Sequence, residues 1–136
     1  HDSSLSLSTH SILASDIDEK DLAYKLFQEA TKIDLGENMK TSDHGIHAAS
    51  LGGLWQIVVN GFGGLRMVGG NLRINPKLPE NWSRLSFSFM WKGNKLDIEL
   101  TKEGIKIEVK DEMLEEIEIL VYDTKYVLNQ ILKIKF

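Results

Sequence analysis

The sequence contains no cysteine in its 136 residues. It therefore cannot form a disulfide framework, a thiolate nucleophile or a zinc–thiolate site. Because disulfides are typical of oxidising compartments, the lack of cysteine is consistent with a reducing one, and we expect a cytoplasmic protein.

Basic residues are also fewer than acidic ones. The 16 lysine and arginine residues are outnumbered by 20 acidic residues, the formal net charge is −4, and the basic residues do not gather into a stripe. Because a protein that binds a polyanion needs a concentrated positive surface, we expect no nucleic-acid partner.

Long hydrophobic runs are missing as well. The longest apolar stretch, residues 51–65, is interrupted by five glycines, Gln56 and Asn60, so it falls short of a bilayer span. The first residues lack the basic and apolar segments of a signal peptide, and we expect no membrane partner. The sequence begins with His1 rather than methionine, from which we expect further sequence upstream.

The first half of the sequence has helical periodicity. Residues 5–14 predict a short helix, and apolar positions at helical spacing over residues 18–36 predict a second, with Asp18 as its N-cap. A third helix is predicted over residues 45–61. This helix is apolar on nearly all sides, which is typical of a buried helix. We expect its central glycines, Gly52 and Gly53, to permit close approach of a neighbouring backbone.

The second half of the sequence changes to a period of two. Alternating apolar residues predict half-buried strands, with tight hairpin turns at Gly93-Asn94 and at residues 101–104. The predicted strands lie at 85–91, 96–100, 105–109, 117–121, 125–128 and 131–136. Helices followed by strands indicate an α+β fold, and an antiparallel sandwich would close the second half.

The start of the third helix is the first candidate for a binding site. In "TSDHGIHAASLGGLWQ", a cap at Ser42 or Asp43 would place His44, Gly45 and His47 in the first helical turn. Unpaired N–H groups and the positive end of the helix dipole attract anions there. The alternative is that His47 only makes a hydrogen bond inside the core. A metal site is not predicted, because no carboxylate or third imidazole follows at helical spacing.

A pair of serines near the start of the sequence is the second candidate. Ser3 and Ser4 offer neighbouring hydroxyl donors without negative charge, which suits an oxyanion, although they could simply cap the first helix. His10 lies about two turns into that helix, where we expect a satisfied core position. Neither serine has the surroundings of a nucleophile.

Acid–base chemistry and sugar stacking have weaker candidates. The carboxylates Asp2 and Asp43 fit helix caps, and Glu80 lies in a proline-bounded loop, so no complete hydrolase site is visible. Trp82 and Trp91 could form a sugar-stacking platform, but period-two aromatic residues usually pack inward.

Three segments carry a resemblance to a known family. The stretches "DSSLSLSTHSILA", "DHGIHAASLGGLWQIVVNGFGGLR" and "LRINPKLPENWSRLSFSFMWKG" resemble successive signatures of the family 65 glycoside phosphorylases, which include maltose, kojibiose, nigerose and trehalose phosphorylases. The resemblance covers the sequence from residue 1 to about residue 100.

The resemblance implies a fold and a division of the chain. Residues 1–66 would be the last helices of an (α/α) six-hairpin barrel, and residues 67–136 a small antiparallel β-sandwich. We then expect the upstream barrel region as the partner of this chain, and a homodimer when the protein is intact.

The resemblance also implies a reaction. Inorganic phosphate, the co-substrate, would attack an α-glucoside with inversion and release β-glucose 1-phosphate, without a cofactor. Ser3, Ser4 and His47 are similar to the family's phosphate-binding residues, with His44, Gly45 and His10 as weaker candidates. The family's general acid is a glutamate in an earlier part of the barrel, so the chain alone should be inactive. The alternatives are a non-catalytic carbohydrate-binding or interaction module and a related glycoside hydrolase.

Overall fold

A computed structural model of the chain describes residues 6–35, 46–113 and 115–136. The fold is α+β, as predicted, and it divides into two compact units, His1–Phe62 and Gly63–Phe136. None of the described helices is long and apolar enough to cross a membrane.

The first unit is helical. Helix α1 spans Ser6–Asp16, α2 spans Lys20–Leu35 and α3 spans Ala48–Gln56, and a π-helical segment, Ile57–Phe62, continues directly from α3. All three predicted helices are therefore present, although α3 begins later than expected.

Small and polar residues hold these helices together. The buried hydroxyl of Ser11 donates to the carbonyl of Ala23, and that of Ser15 donates to the carbonyl of Gly61. Next to them, the ring of Phe62 meets Phe27 edge to face with centroids 5.5 Å apart. The buried face of α1 is thus made of small residues that bring neighbouring helices close.

Asp18 does not cap the start of α2 as predicted. Its φ is +66°, its N–H donates to the carbonyl of Ser15, and the N–H of Glu19 donates to the carbonyl of Ala14. This pair of bonds is the Schellman arrangement that ends a helix. Asp18 therefore terminates α1, because a short polar side chain tolerates the left-handed conformation better than most residues do.

The expectation that α3 is buried on all sides is only partly correct. Ser50 and Gly53 are buried, and the π-helical segment continues the buried face through Ile57 and Val59. The side chain of Trp55, however, is 51% exposed. Helices α1 and α2 pack against one side of α3, which leaves the opposite side uncovered within the described residues.

The two central glycines of α3 differ in their surroundings. A Cβ added to Gly53 would lie 2.8 Å from Oγ and 2.9 Å from Cβ of Ser8, whereas nothing described lies within 4 Å of a Cβ at Gly52. The predicted close approach is therefore real at Gly53, where the neighbour is a side chain of α1 rather than backbone.

This difference predicts opposite effects of two alanine substitutions. Gly53→Ala should lower the free energy of unfolding by about 1–3 kcal/mol relative to Gly52→Ala, because the new methyl group overpacks the contact with α1. Gly52→Ala should be neutral or stabilising, since alanine is the better helix former. Urea unfolding of the two variants followed by helical circular dichroism checks this, and equal stabilities would contradict the close packing.

The second unit contains eight strands in two four-stranded sheets. One sheet has the order β1-β2-β6-β7 and the other β3-β4-β5-β8. The strands are β1 Leu65–Val68, β2 Asn71–Ile74, β3 Arg84–Trp91, β4 Asn94–Thr101, β5 Gly104–Val109, β6 Ile117–Val121, β7 Thr124–Leu128 and β8 Ile131–Lys135.

Most of the pairing is antiparallel, as predicted. The exception is the parallel pair of β2 with β6, in which Leu72 lies opposite Ile119. Strands β1 and β2 were not predicted from the sequence. They form a hairpin whose turn residues, Gly69 and Gly70, both have positive φ.

Alternation along the strands gives each sheet one buried face. The inward side chains, such as Leu72 and Ile119 in one sheet and Ile98 and Ile107 in the other, are essentially inaccessible. The hairpin turn predicted at Gly93-Asn94 is shifted by one residue. Lys92 and Gly93 have the positive φ values that a two-residue turn needs, and Asn94 is the first residue of β4.

Candidate functional site

The sequence-predicted phosphate residues fall into two groups. Ser3, Ser4, His44 and Gly45 lie outside the described residues. His47 and His10 are described, and of these two His47 is the one held by hydrogen bonds to another helix. His10 is exposed on α1 rather than in the core position expected for it.

His47 is the N-cap of α3 and not a residue of its first turn. The helix begins at Ala48, and the carbonyl of His47 accepts the N–H of Leu51. The imidazole makes no capping hydrogen bond to its own helix. The ring is therefore free of the role that a serine or aspartate usually has at this position.

The partner of His47 is a carboxylate on another helix. Oδ1 of Asp34, in the last turn of α2, accepts the backbone N–H of His47 at 3.1 Å and lies 3.0 Å from Nδ1 of its ring. The side chain of Asp34 is only 2% exposed, whereas that of His47 is 35% exposed. The pair thus consists of a buried acceptor and an imidazole that reaches the surface of the unit.

The carboxylate is held in its charged form by this histidine. The hydrogen bond from the His47 backbone N–H, followed by the bond from the imidazole, lowers the pKa of Asp34 from its ordinary value despite the opposing effect of burial. Its second oxygen, Oδ2, is also buried and has no hydrogen-bond partner within the described part of the chain. An ionised Asp34 can only accept, so Nδ1 of His47 carries the proton in this contact.

Asp34 changes the electrostatics expected for the start of α3. The sequence predicted a helix N-terminus open to an external anion, but a carboxylate of the chain itself already accepts the N-cap N–H there. A negative charge at this end of a helix is stabilising. The exposed part of the imidazole remains accessible to a ligand at this position.

Sequence reasoning did not single out Asp34. A weak signal was present, because Asp34 continues the spacing of the buried Ala23 and Ala30 along α2 and so places a carboxylate on an otherwise apolar helix face. A buried carboxylate needs a partner, which makes such a residue a candidate for a specific contact.

The structure does not favour the sugar-stacking and metal-site alternatives among the described residues. Trp91 is half-buried and stacks against Phe89 with centroids 6.4 Å apart, and its Nε1 is buried, so the polar edge of the ring is not presented to a sugar. No three histidine or acidic side chains among residues 6–35, 46–113 and 115–136 come together as a possible metal site.

A polar groove of about 350 Å³ lies on the outer face of β3, β4 and β5. Its charged side chains form pairs of opposite charge. Arg84 pairs with Glu99, and Lys110 lies within 3.4 Å of Asp97 and 3.3 Å of Glu108. Because these charges pair with one another across the strands, the groove is a network of surface ion pairs.

The lowered pKa of Asp34 predicts how stability depends on pH. A carboxylate with a depressed pKa in the folded state adds stability above its unfolded-state pKa of about 4, and this stability is lost as the pH falls through the folded value. The lead of the wild-type chain over Asp34→Asn in the free energy of unfolding should therefore be largest above about pH 5 and shrink towards acid. Urea unfolding of both chains across this range is the measurement. A lead that stays constant from neutral to acid pH would contradict the Asp34–His47 contact.

Two family models match the chain. The model of the glycosyl hydrolase family 65 central catalytic domain matches residues 1–56, and the model of the family 65 C-terminal domain matches residues 65–128.

Curated relatives match nearly the whole chain. A kojibiose phosphorylase of Halothermothrix orenii is 41% identical over 95% of the chain, and an α,α-trehalose phosphorylase of Thermoanaerobacter brockii is 43% identical over 96%. A 1,2-α-glucosylglycerol phosphorylase of Bacillus selenitireducens is 38% identical over 95%. The chain spans only 16% to 18% of the length of these three relatives.

A solved structure is similar over all of the chain. It is a human-microbiome protein provisionally named as a kojibiose phosphorylase, with a TM-score of 0.91 and 35% identity. The similarity covers 100% of this chain and 20% of that one. Both units of the present chain thus have counterparts in one longer polypeptide.

Proposed function

Since this chain belongs to glycosyl hydrolase family 65, we propose that it is the C-terminal portion of an inverting disaccharide phosphorylase. In this proposal residues 1–66 are the last helices of an (α/α) six-hairpin barrel and residues 67–136 a β-sandwich domain. The intact protein would be a cytoplasmic homodimer. The similarity to phosphorylases acting on different glucosides supports the reaction type, and it leaves the disaccharide open.

His47 is the residue of this chain that we propose to contact inorganic phosphate. The observation that carries this assignment is its imidazole, which is 35% exposed at the start of α3 while Nδ1 is bound to a buried carboxylate. The opposite nitrogen, Nε2, is then left for a ligand. Ser3 and Ser4 complete the proposed phosphate site by resemblance to the family.

Phosphorolysis does not require a catalytic base at the site where phosphate binds. In hydrolysis with inversion, one carboxyl group protonates the leaving oxygen and a second activates water. Phosphate is already an anion and needs donors that hold and orient it rather than a base. The general acid is proposed to lie upstream in the barrel, so that residues 1–136 alone carry out no phosphorolysis.

Exposed apolar side chains in the first unit support the proposal that further barrel helices pack against it. Ile46 is 70% exposed, and several large hydrophobic side chains in or next to the three helices are also exposed: Leu13, Ile17, Leu22, Leu35 and Trp55. Large exposed apolar areas on a soluble protein often mark a site of protein contact. In our proposal the upstream helices cover it.

Replacing His47 tests the phosphate assignment. In the intact enzyme, His47→Ala should raise the KM for phosphate by about 10- to 100-fold, the size of effect expected when a charge-assisted hydrogen bond is lost. The KM for the disaccharide should change far less, and it serves as the internal control. Initial rates at varied phosphate, together with the melting temperature, are the measurements. An unchanged phosphate KM would reject the assignment.

The exposed apolar surface predicts the behaviour of the chain in isolation. The 136-residue chain should self-associate and bind a hydrophobic dye, and the double variant Ile46→Gln/Trp55→Gln should do both less. Met90→Gln, an equally exposed apolar residue of β3, is the matched control and should leave both unchanged. Sedimentation and dye fluorescence measure the two properties. A monomeric chain that binds no dye would argue for a free-standing module instead.

A further inference from the structure

The contact between Asp34 and His47 has a geometry that goes beyond an ordinary ion pair. One carboxylate oxygen, Oδ1, receives both the backbone N–H of His47 and its ring Nδ1, at 3.1 Å and 3.0 Å. Two contacts from one residue to a single oxygen fix the direction of the side chain relative to its own backbone. The imidazole is therefore restrained both in position and in the orientation of its plane.

The two side chains differ in burial: that of Asp34 is inside the unit, and that of His47 is partly exposed. The Asp34 carboxylate is 2% exposed and lies in the last turn of a packed helix, whereas the imidazole is 35% exposed. Both described hydrogen bonds of Asp34 are to His47, so within the described residues its carboxylate interacts specifically with this histidine. A carboxylate that accepts from Nδ1 fixes which ring nitrogen carries that proton and leaves Nε2 facing away from it.

We propose that Asp34 is the positioning residue of the phosphate site, which holds the His47 ring so that Nε2 is the atom presented to inorganic phosphate. The inference rests on the proposed phosphate role of His47. It adds a residue on a different helix, 13 positions earlier in the chain, that acts on phosphate only through the imidazole. Phosphate affinity then depends on the packing of α2 against α3.

Kinetics of Asp34→Asn in the intact enzyme test this role. The asparagine side chain keeps the size of aspartate but removes the negative charge that faces Nδ1, so it should hold the ring less firmly in the orientation that directs Nε2 to phosphate. We expect the KM for phosphate to rise by about 10- to 100-fold, while the KM for the disaccharide stays within about twofold. Asp21→Asn, an exposed aspartate at the start of the same helix, is the matched control and should change neither.

A double-mutant cycle separates positioning from a general effect on the fold. In the His47→Ala background, Asp34→Asn should add nothing further to the phosphate KM, because the residue through which it acts is gone. An equal rise in both backgrounds would overturn the proposal. A parallel rise in both KM values with a fall in melting temperature would also overturn it, since that is the signature of a structural role.

A second variant keeps the inference testable if Asp34→Asn does not fold. His47→Asn retains a donor near the position of Nδ1 and can keep the bond to Asp34, but it has no atom at the position of Nε2. It should melt like the wild type and bind phosphate as weakly as His47→Ala. Normal phosphate binding by His47→Asn would overturn the assignment of Nε2.

Failure of this inference differs from failure of the proposed function. If His47→Ala leaves the phosphate KM unchanged, the phosphate role of His47 is wrong and the positioning role falls with it. If His47→Ala raises the phosphate KM and a folded Asp34→Asn does not, only the positioning role is wrong.

Discussion

A buried carboxylate joins the end of one helix to the beginning of the next in the first unit. Asp34 lies in the last turn of α2, and its oxygen accepts both N–H groups that His47 offers immediately before α3. Removing a charge from water is costly unless it is fully paired, so this contact constrains how the two helices meet. The same contact satisfies the backbone N–H of His47, the N-cap of α3, whose own side chain does not cap the helix. Helix geometry and the direction of the imidazole therefore depend on one interaction.

The sequence predicted the kinds of elements better than their connections. Helical spacing located α1, α2 and α3, and alternation located six of the eight strands. Strands β1 and β2 were missed because Leu65–Val68 continues the apolar run of the third helix, and only the glycine pair at positions 69 and 70 signals the turn. Asp18 was misassigned for a related reason, since an aspartate between two helices can end the first or begin the second.

The candidate site was harder to predict than the fold. His47 was found because a histidine near a helix start has an unusual local context. Asp34 was not, because an acidic residue in the last turn of an amphipathic helix normally faces solvent, and nothing local indicates a partner 13 positions later in the sequence. Ser3 and Ser4 came from family resemblance together with the residue type. In general, local periodicity determines which face of an element is buried, whereas contacts between elements depend on packing that a single sequence does not display.

The order of strands in the second unit has a consequence for how this part of the chain folds. Hairpins β3–β4 and β4–β5 connect neighbours in sequence and close only short loops. The parallel pair of β2 with β6 instead joins residues far apart along the chain, such as Leu72 and Ile119, and so closes a much longer loop. Non-local pairing of this kind slows the search for the native topology. During synthesis, the edge of β2 that pairs with β6 has no partner strand until β6 emerges, after β3, β4 and β5 have already been made.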